Sequence, residues 1–377
     1  MASRVLIIEV GGWGGICHYT YNLLEALART NQAEAILLTD VDYELANLPV
    51  NFRIVKIPIK NQPYFKAIFR IISVIVKLKP NLIHIQSIIS ARKDWIIFVL
   101  ARLLNKKVVF TAHNILPHER CERKAPGMNF AYKMIYGCSN KIIVHTQYSK
   151  NKLISLFRIA PKKIKLIYHG NYLFLRKEEI SKEEAKKYLG IPQDKKIVLC
   201  FGTIRKYKGL DKVIGSFSEV KSKDKDAMLL IAGKAFNSNI GHYRAMIAKL
   251  NLDDCVILKD EYIPLGDIPY YFFAADVVVF AYEEIDASGS LQLAYAFSKP
   301  VIASKAGSFP EMIQAEQNGY LFNSSYIIDL VQNINKVLSN EVKAKEMGDC
   351  SFKFANEKFN WQEIASETDK LYKSLTR

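Results

Sequence analysis

The chain has 377 residues, of which 50% are hydrophobic, and it carries a net charge of +16 at pH 7. This length is too great for one ordinary hydrophobic core, and the low glycine and proline content excludes a collagen-like or disordered protein, so the sequence predicts two globular domains. There is no N-terminal secretory signal and no apolar run long enough to span a bilayer, which favours a cytoplasmic location.

The first predicted strand, RVLII, runs into EVGGWGG and then into a helical stretch. Glycine permits positive φ angles and close approach of a ligand, and the N-terminus of the following helix favours an anion. We therefore expect Gly12, Gly14 and Gly15 to face a phosphate or a sugar. The dinucleotide pattern G-x-G-x-x-G is broken at Cys17, but Asp40 ends the next strand, where a ribose-binding acid would stand. An NAD-dependent enzyme therefore remains an alternative.

Short apolar strands alternate with helical stretches through both halves of the chain, which is typical of doubly wound parallel α/β sheets. The sequence predicts a first Rossmann-like domain over residues 1–172, a charged linker over 173–194 and a second Rossmann-like domain over 195–358. A last helix over 359–377 is expected to cross back to the first domain. Two such facing domains would hold a ligand in the cleft between them.

The positive charge is unevenly distributed. Residues 171–377 contain equal numbers of acidic and basic residues, so the whole excess lies in residues 1–170. Within the predicted helix Tyr64–Lys79, one side collects the polar positions, which are Lys66, Arg70, Ser73 and Lys77. A basic stripe on an apolar helix is typical of an anionic membrane surface, and a solvated face of an ordinary helix explains it equally well. No nucleic-acid recognition motif is present, and we expect no nucleic-acid partner.

The second half contains a predicted anion clamp. The segment FGTIRKYKGLDKVI follows a strand and opens a helix, which places Arg205 and Lys208 at the carboxyl end of a strand, beside Gly202 and Thr203. Two cations and free helix N–H groups suit a diphosphate. Further along, the segment Ser288-Gly289-Ser290 again lies between a strand and a helix, where backbone N–H groups form an anion nest.

Several motifs in a fixed order resemble the family-4 glycosyltransferases, which have the GT-B architecture of two facing Rossmann-like domains. They are GGWGG, VVFTAHN, KIIVHTQYSKNKL, LIYHG, GTIRKYKG, LLIAG, AADVVVFAY, SKPVIAS, GSFPEMI and NGYLF. The resemblance covers nearly the whole chain. It implies transfer of a sugar from a nucleotide diphosphate sugar, usually with retention at the anomeric carbon, with no metal and no further cofactor. The first domain would then bind the acceptor and the second the donor.

The resemblance also implies roles for individual residues. Lys208 matches the family's diphosphate lysine, and Arg205 is expected to replace the family's arginine, whose position is Thr203 here. His113, in TAHN, matches the family's active-site histidine near the reacting sugar, although a strand-end histidine with purely structural bonds is the other interpretation. The neighbouring pair Tyr262-Ile263 would lie against the base.

One departure concerns the family's two glutamates, which lie eight positions apart before the KPV strand. Here these positions hold Ile285 and Leu293, and neither can bind a hydroxyl. We expect the neighbouring Glu283, Glu284 and Asp286 to hold the sugar hydroxyls instead, with Asp286 among the catalytic residues. The missing glutamates also leave open a non-catalytic subunit that binds a nucleotide sugar.

The remaining expectations concern the metal and the acceptor. Asp40-Val41-Asp42 spells the Asp-x-Asp of another glycosyltransferase fold, but it follows an early strand, so we interpret it as a strand end and a loop and expect no metal. The basic first domain favours a glycan or polyprenyl-linked acceptor at the cytoplasmic face of a membrane. Assembly of a surface polysaccharide would be the natural setting.

Overall fold

The computed structural model describes residues 3–30, 33–87, 90, 92–117, 126–176 and 180–376. The chain divides into two compact units. The N-terminal unit is Met1–Gly170 together with Phe359–Arg377, and the C-terminal unit is Asn171–Lys358.

The N-terminal unit is built on a parallel sheet. Its strands are β1 Ser3–Ile8, β2 Ala33–Asp40, β3 Arg53–Ile57, β4 Leu82–Ile85, β5 Lys107–Thr111, β6 Lys141–Val144 and β7 Ile164–Leu166. Their spatial order is β3-β2-β1-β4-β5-β6-β7. The intervening helices are α1 Gly14–Thr30, α2 Tyr64–Leu78, α3 Trp95–Leu103, α4 Met128–Cys138 and α5 Gln147–Phe157.

The C-terminal unit repeats this design. Its strands are β8 Lys196–Phe201, β9 Ala227–Ala232, β10 Val256–Lys259, β11 Val277–Phe280, β12 Val301–Ser304 and β13 Gly319–Phe322. They form a parallel sheet in the order β10-β9-β8-β11-β12-β13. Its helices are α6 Lys182–Leu189, α7 Leu210–Lys223, α8 Ile240–Lys249, α9 Ile268–Ala274, α10 Gly289–Ala296, α11 Phe309–Met312, α12 Ile327–Leu338 and α13 Glu341–Lys358.

The strands are apolar because helices cover both faces of each sheet. Val5, Leu6 and Ile7 of β1 are fully buried, and they pair in parallel with β2 on one side and β4 on the other. The sequence of a strand that is buried on both faces is a continuous apolar run and does not alternate between apolar and polar residues. The prediction of two parallel α/β domains is confirmed. Among the helices of the described ranges, none combines the length and the apolar character needed to cross a bilayer.

The described residues of the predicted linker, 173–176 and 180–194, belong to the C-terminal unit. Ser181 begins α6 with a capping box, in which its hydroxyl accepts from the Glu184 N–H and the Glu184 carboxylate accepts from the Ser181 N–H. Tyr188, near the end of α6, stacks on Tyr270 of α9 with the ring centroids 3.8 Å apart. The charged composition therefore reflects the exposed side of a packed helix.

The last helix, α14 Trp361–Thr376, belongs to the N-terminal unit. Its first residue, Trp361, packs its ring directly over Gly170, where an added Cβ would come within 2.2 Å of the indole. The indole also contacts the ring of Tyr19 in α1, with centroids 5.2 Å apart. A glycine is therefore required at position 170, because the Trp361 indole leaves no room for a side chain there.

We expect Gly170→Ala to lower the free energy of unfolding by about 1–3 kcal/mol, because the new methyl group overpacks the indole of Trp361. Urea denaturation followed by circular dichroism measures the change. Gly137→Ala is the matched control, since Gly137 lies in α4 of the same unit with no atom within 4 Å of an added Cβ. The control should gain about 0.5–1 kcal/mol. Equal stability of the two variants would contradict the contact.

Candidate functional site

The candidate site of the C-terminal unit begins where β8 ends. Gly202 follows the strand with φ +103°, and Gly209 follows a short 3-10 turn, Lys206–Lys208, with φ +65°. Both angles lie in the left-handed region, which glycine adopts without a steric penalty. At Gly209 an added Cβ would also come within 2.2 Å of the Ala281 carbonyl oxygen. The two glycines therefore fold the predicted clamp tightly against β11.

Three of the residues predicted for the donor site converge at this turn. A Cβ added to Gly202 would lie 2.9 Å from Ser290 Oγ and 3.1 Å from Lys208 Nζ. Lys208 Nζ also lies over the Tyr282 ring, 5.2 Å from its centroid. Gly202, Lys208 and Tyr282 line one pocket at the strand end. A side chain at Gly202 would occupy the space between the hydroxyl and the ammonium.

The surroundings of Lys208 disfavour the charged form of its amine. Burial, and then the positive charge of Arg205, lower the pKa of Lys208 to about 7. Within the described residues, no carboxylate forms an ion pair with Lys208. A buried cation without a counter-charge is costly, so an anion bound beside it would be strongly favoured. This is the electrostatic condition that a diphosphate site needs.

Other predicted donor residues surround this turn in different ways. Arg205 stacks its guanidinium over Phe236 at 4.4 Å from the ring centroid, so its charge lies beside the turn. The Ser288 hydroxyl accepts from Leu291 N–H at 3.1 Å and caps α10, which begins at Gly289. The ring of Tyr262 is 43% exposed.

The structure corrects two predictions in the C-terminal unit. Asp286 is fully buried, so its carboxylate has no surface with which to contact a sugar. Glu284 is half-buried, so its side chain remains accessible. Ile263 is also buried, at 6% exposure, so only Tyr262 of the predicted pair has a side chain exposed enough to contact a base. The sequence could not reveal the orientation of Asp286, because the loop that precedes α10 has no regular periodicity.

The glycine turn of the N-terminal unit also differs from its prediction. The buried carboxylate of Glu9 accepts the N–H groups of Gly11 and Gly12, both at 2.8 Å, and the Glu44 carboxylate accepts the N–H of Gly14 at 2.8 Å. A phosphate nest needs such N–H groups free. In this structure the amides of Gly12 and Gly14 are therefore engaged by carboxylates and are not free to bind the phosphate that the sequence predicted. Gly15 lies in the first turn of α1. Glu9, directly before the glycines, was the missed signal.

Asp40 is likewise occupied by the backbone. Its carboxylate accepts from the N–H groups of Asp42 at 3.0 Å, Ile59 at 2.8 Å and Lys60 at 2.8 Å, and the residue is fully buried. A carboxylate engaged in this way joins two loops and is not available to bind a ribose. The structure therefore removes the residue on which the NAD-dependent alternative depended.

His113 lies at the end of β5 with both ring nitrogens engaged. Its Nε2 lies 3.1 Å from Oε1 of Gln86, and its Nδ1 lies 3.1 Å from Nε2 of His145. Burial, and then the neighbouring His145 and other histidines, hold the pKa of His113 well below its usual range. The ring is therefore neutral at physiological pH and suits a hydrogen-bonding role better than that of a charged acid. Gln86 and His145 were not identified from the sequence.

Comparison with protein families matches both halves of the chain. The description "Glycosyltransferase Family 4" matches residues 13–171, and "Glycosyl transferases group 1" matches residues 181–353. The D-inositol 3-phosphate glycosyltransferase of Corynebacterium aurimucosum is 23% identical over 304 residues, which are 78% of this chain and 71% of that protein.

Two solved structures share the fold over essentially their whole length. Sucrose-phosphate synthase from Thermosynechococcus elongatus superposes with a TM-score of 0.81 at 19% identity, covering 99% of each chain. Anabaena HepE, solved with UDP and glucose, superposes with a TM-score of 0.82 at 17% identity, covering 99% of this chain and 100% of that one. The fold is therefore GT-B. With both halves matched, the predicted resemblance is confirmed: the chain belongs to the family-4, group 1 glycosyltransferases and is a glycosyltransferase enzyme.

Proposed function

We propose that this glycosyltransferase takes its sugar from a nucleoside diphosphate sugar and that the diphosphate binds at Lys208. The observation that carries the proposal is the ammonium of the half-buried Lys208, which has no carboxylate partner in the described part of the chain and faces Gly202 and Ser290. HepE, which shares the fold, was solved with UDP-glucose. This supports a uridine diphosphate sugar as the first donor to test.

The chemistry of the step follows from this charge. When the bond between the anomeric carbon and the phosphate oxygen breaks, the electron pair stays on the departing diphosphate, and negative charge develops there. A fixed cation in a partly dry site stabilises that charge more in the transition state than in the bound substrate. Lys208 and Arg205 would supply the positive charge that a metal ion supplies elsewhere. We therefore propose metal-independent transfer, with retention as the family resemblance implies.

We propose that the acceptor is a glycan or a polyprenyl-linked sugar at an anionic membrane surface, reached through α2. Phe65 and Phe69 lie one turn apart on this helix and are 68% and 73% exposed. Lys66 and Lys77 are also exposed, and the opposite side of the helix is buried. Exposed aromatic rings beside lysines match the apolar and charged layers of a bilayer interface. A merely solvated helix does not need the two rings.

We expect Lys208→Ala to lower kcat/KM for the donor, with a loss of about 2–4 kcal/mol of transition-state stabilisation. This is the range for loss of one preorganised charge donor. Release of nucleoside diphosphate from a panel of donor sugars measures the rate. Lys223→Ala on α7 removes an exposed lysine that pairs with Glu219, and it should leave the rate unchanged. A Lys208→Ala enzyme with wild-type activity would remove the clamp from the mechanism.

We expect the affinity for UDP to fall as the pH rises from 7 to 9. The free ammonium of Lys208 has a pKa of about 7, and a bound diphosphate raises that pKa, so binding needs a proton that becomes scarce above pH 7. The dissociation constant should rise by up to about tenfold per pH unit. Isothermal calorimetry measures it. Lys208→Arg keeps its charge over this range and should show a flat profile. A flat wild-type profile would be the contrary result.

We expect the double variant Phe65→Ser, Phe69→Ser to bind anionic vesicles at least about tenfold more weakly than the wild type, since two apolar rings no longer insert. Cosedimentation with phosphatidylglycerol vesicles at low salt measures binding. Val342→Ser removes an apolar side chain, 72% exposed, from the C-terminal unit and serves as the control. Failure of the wild-type protein to sediment with these vesicles would overturn the membrane proposal.

A further inference from the structure

Polar groups from several elements of the N-terminal unit form a continuous hydrogen-bonded row through its interior. The row begins at the last helix and passes along β4 and β5 to the segment after β7. We call it the imidazole row, and its members are Tyr372, His84, Gln86, His113, His145 and the Ile167 carbonyl.

The carbonyl end of the row fixes the direction of the hydrogen bonds. His145 Nδ1 lies 2.9 Å from the Ile167 carbonyl oxygen, which only accepts, so this nitrogen carries the hydrogen. A neutral imidazole has one N–H, so His145 Nε2 must accept. The group 3.1 Å from it is His113 Nδ1, which must therefore donate.

The Gln86 carboxamide continues the pattern of donors and acceptors beyond His113. With its hydrogen on Nδ1, His113 presents a lone pair at Nε2, which lies 3.1 Å from the Gln86 carboxamide. A half turn of that carboxamide directs its NH₂ group to His113 and its oxygen to His84 Nε2, at the position now 3.3 Å away. His84 Nε2 donates to that oxygen and also to Thr111 Oγ1, which lies 2.7 Å away. His84 Nδ1 then accepts from the Tyr372 hydroxyl at 2.6 Å. Every bond in the row thereby has one donor and one acceptor.

We propose that the imidazole row holds His113 as the neutral tautomer with its hydrogen on Nδ1, and that His145, whose own tautomer is fixed by the Ile167 carbonyl, is the positioning residue that selects it. The opposite tautomer would place two hydrogens, or two lone pairs, against each other at one of the bonds. The proposal about the tautomer stands independently, whereas its consequence for turnover rests on the proposed function.

Burial of the row supports a neutral state throughout. His84 and His145 are at most 1% exposed, and Tyr372 is 1% exposed. Burial lowers the pKa of both His84 and His145 to about 3. His169, whose ring packs 5.3 Å from that of His145, has its pKa lowered to about 4 by the same cause. Protonation of any member at neutral pH would place an unpaired charge in this interior.

The row also gives the last helix a part in the site. Tyr372 lies in α14 and connects through His84 and Gln86 to His113 at the end of β5. The helix therefore contributes the hydroxyl that completes the row at the end opposite the Ile167 carbonyl. A ring fixed in one tautomer offers one defined pattern of donor and acceptor.

Nitrogen-15 NMR of the histidine rings tests the tautomer directly on the full-length protein. Two-bond correlations distinguish a protonated from an unprotonated ring nitrogen, and His113→Gln assigns the signal by its loss. We expect protonated Nδ1 and unprotonated Nε2 on His113 from pH 6 to 8. Protonated Nε2 alone, or both nitrogens protonated at pH 7, would overturn the proposal.

His145→Phe tests the positioning role. With the His145 acceptor lost, no group opposite His113 Nδ1 selects the hydrogen, the Gln86 amide can reverse, and the His113 signal should become a mixture of tautomers. Tyr19→Phe is the matched control, because the Tyr19 ring packs against His113 and its buried hydroxyl has no hydrogen-bond partner among the described residues. We expect the control to keep the wild-type spectrum. An unchanged His113 spectrum in His145→Phe would remove His145 from the proposal.

Kinetics separate this inference from the proposed function. We expect His145→Phe to lower kcat by about tenfold with the donor KM within about twofold, since orientation and not binding is lost. A protein without transferase activity would fail the proposed function and leave the tautomer result standing. A tautomer mixture with wild-type kcat would contradict the positioning role alone.

Discussion

The charge on Lys208 is the constraint on which the rest of the C-terminal unit depends. An ammonium at the end of a buried parallel strand is unfavourable unless an anion joins it, and burial lowers its pKa to about 7. The surroundings keep this charge available and do not neutralise it. Gly202 leaves space in front of it, Tyr282 lies beneath it and Ser290 borders it. The unit thus holds an amine in position before the ligand arrives, and a bound anion favours its protonated form, which places the charge where electrostatic catalysis requires it.

The N-terminal unit handles polar groups in the opposite way. Backbone N–H groups satisfy the buried carboxylates of Glu9, at the glycine turn, and of Asp40, between two loops. Burial lowers the pKa of His145 to about 3, and its ring is bonded to His113 and to the Ile167 carbonyl oxygen. These buried groups therefore fix geometry and provide no free charge. Its excess positive charge belongs to exposed lysines and arginines such as those of α2, where an anionic surface can reach them.

Much of the fold could be predicted because burial on both faces leaves a strong signal. A strand such as β1 is apolar at every position, and its alternation with helices determines a parallel sheet. Lys208 and Gly202 could also be identified, since a glycine and cations between a strand and a helix have few other uses. The orientation of Asp286 and the partners of the Gly12 and Gly14 amides could not. Both depend on loop conformations set by distant residues. Glu44, for example, lies 30 positions from Gly14, whose N–H donates to its carboxylate. The imidazole row joins residues up to 288 positions apart, which no local pattern reveals.

The most direct test of the account is a calorimetric titration of the intact protein with UDP and, separately, with NADH at pH 8, in two buffers of different ionisation enthalpy. The account predicts micromolar binding of UDP with uptake of close to one proton, because Lys208 is largely uncharged at that pH and becomes protonated beside the diphosphate. The same titration of Lys208→Ala should show neither the affinity nor the proton. Binding of NADH alone, or UDP binding of equal strength in Lys208→Ala, would contradict the central claim.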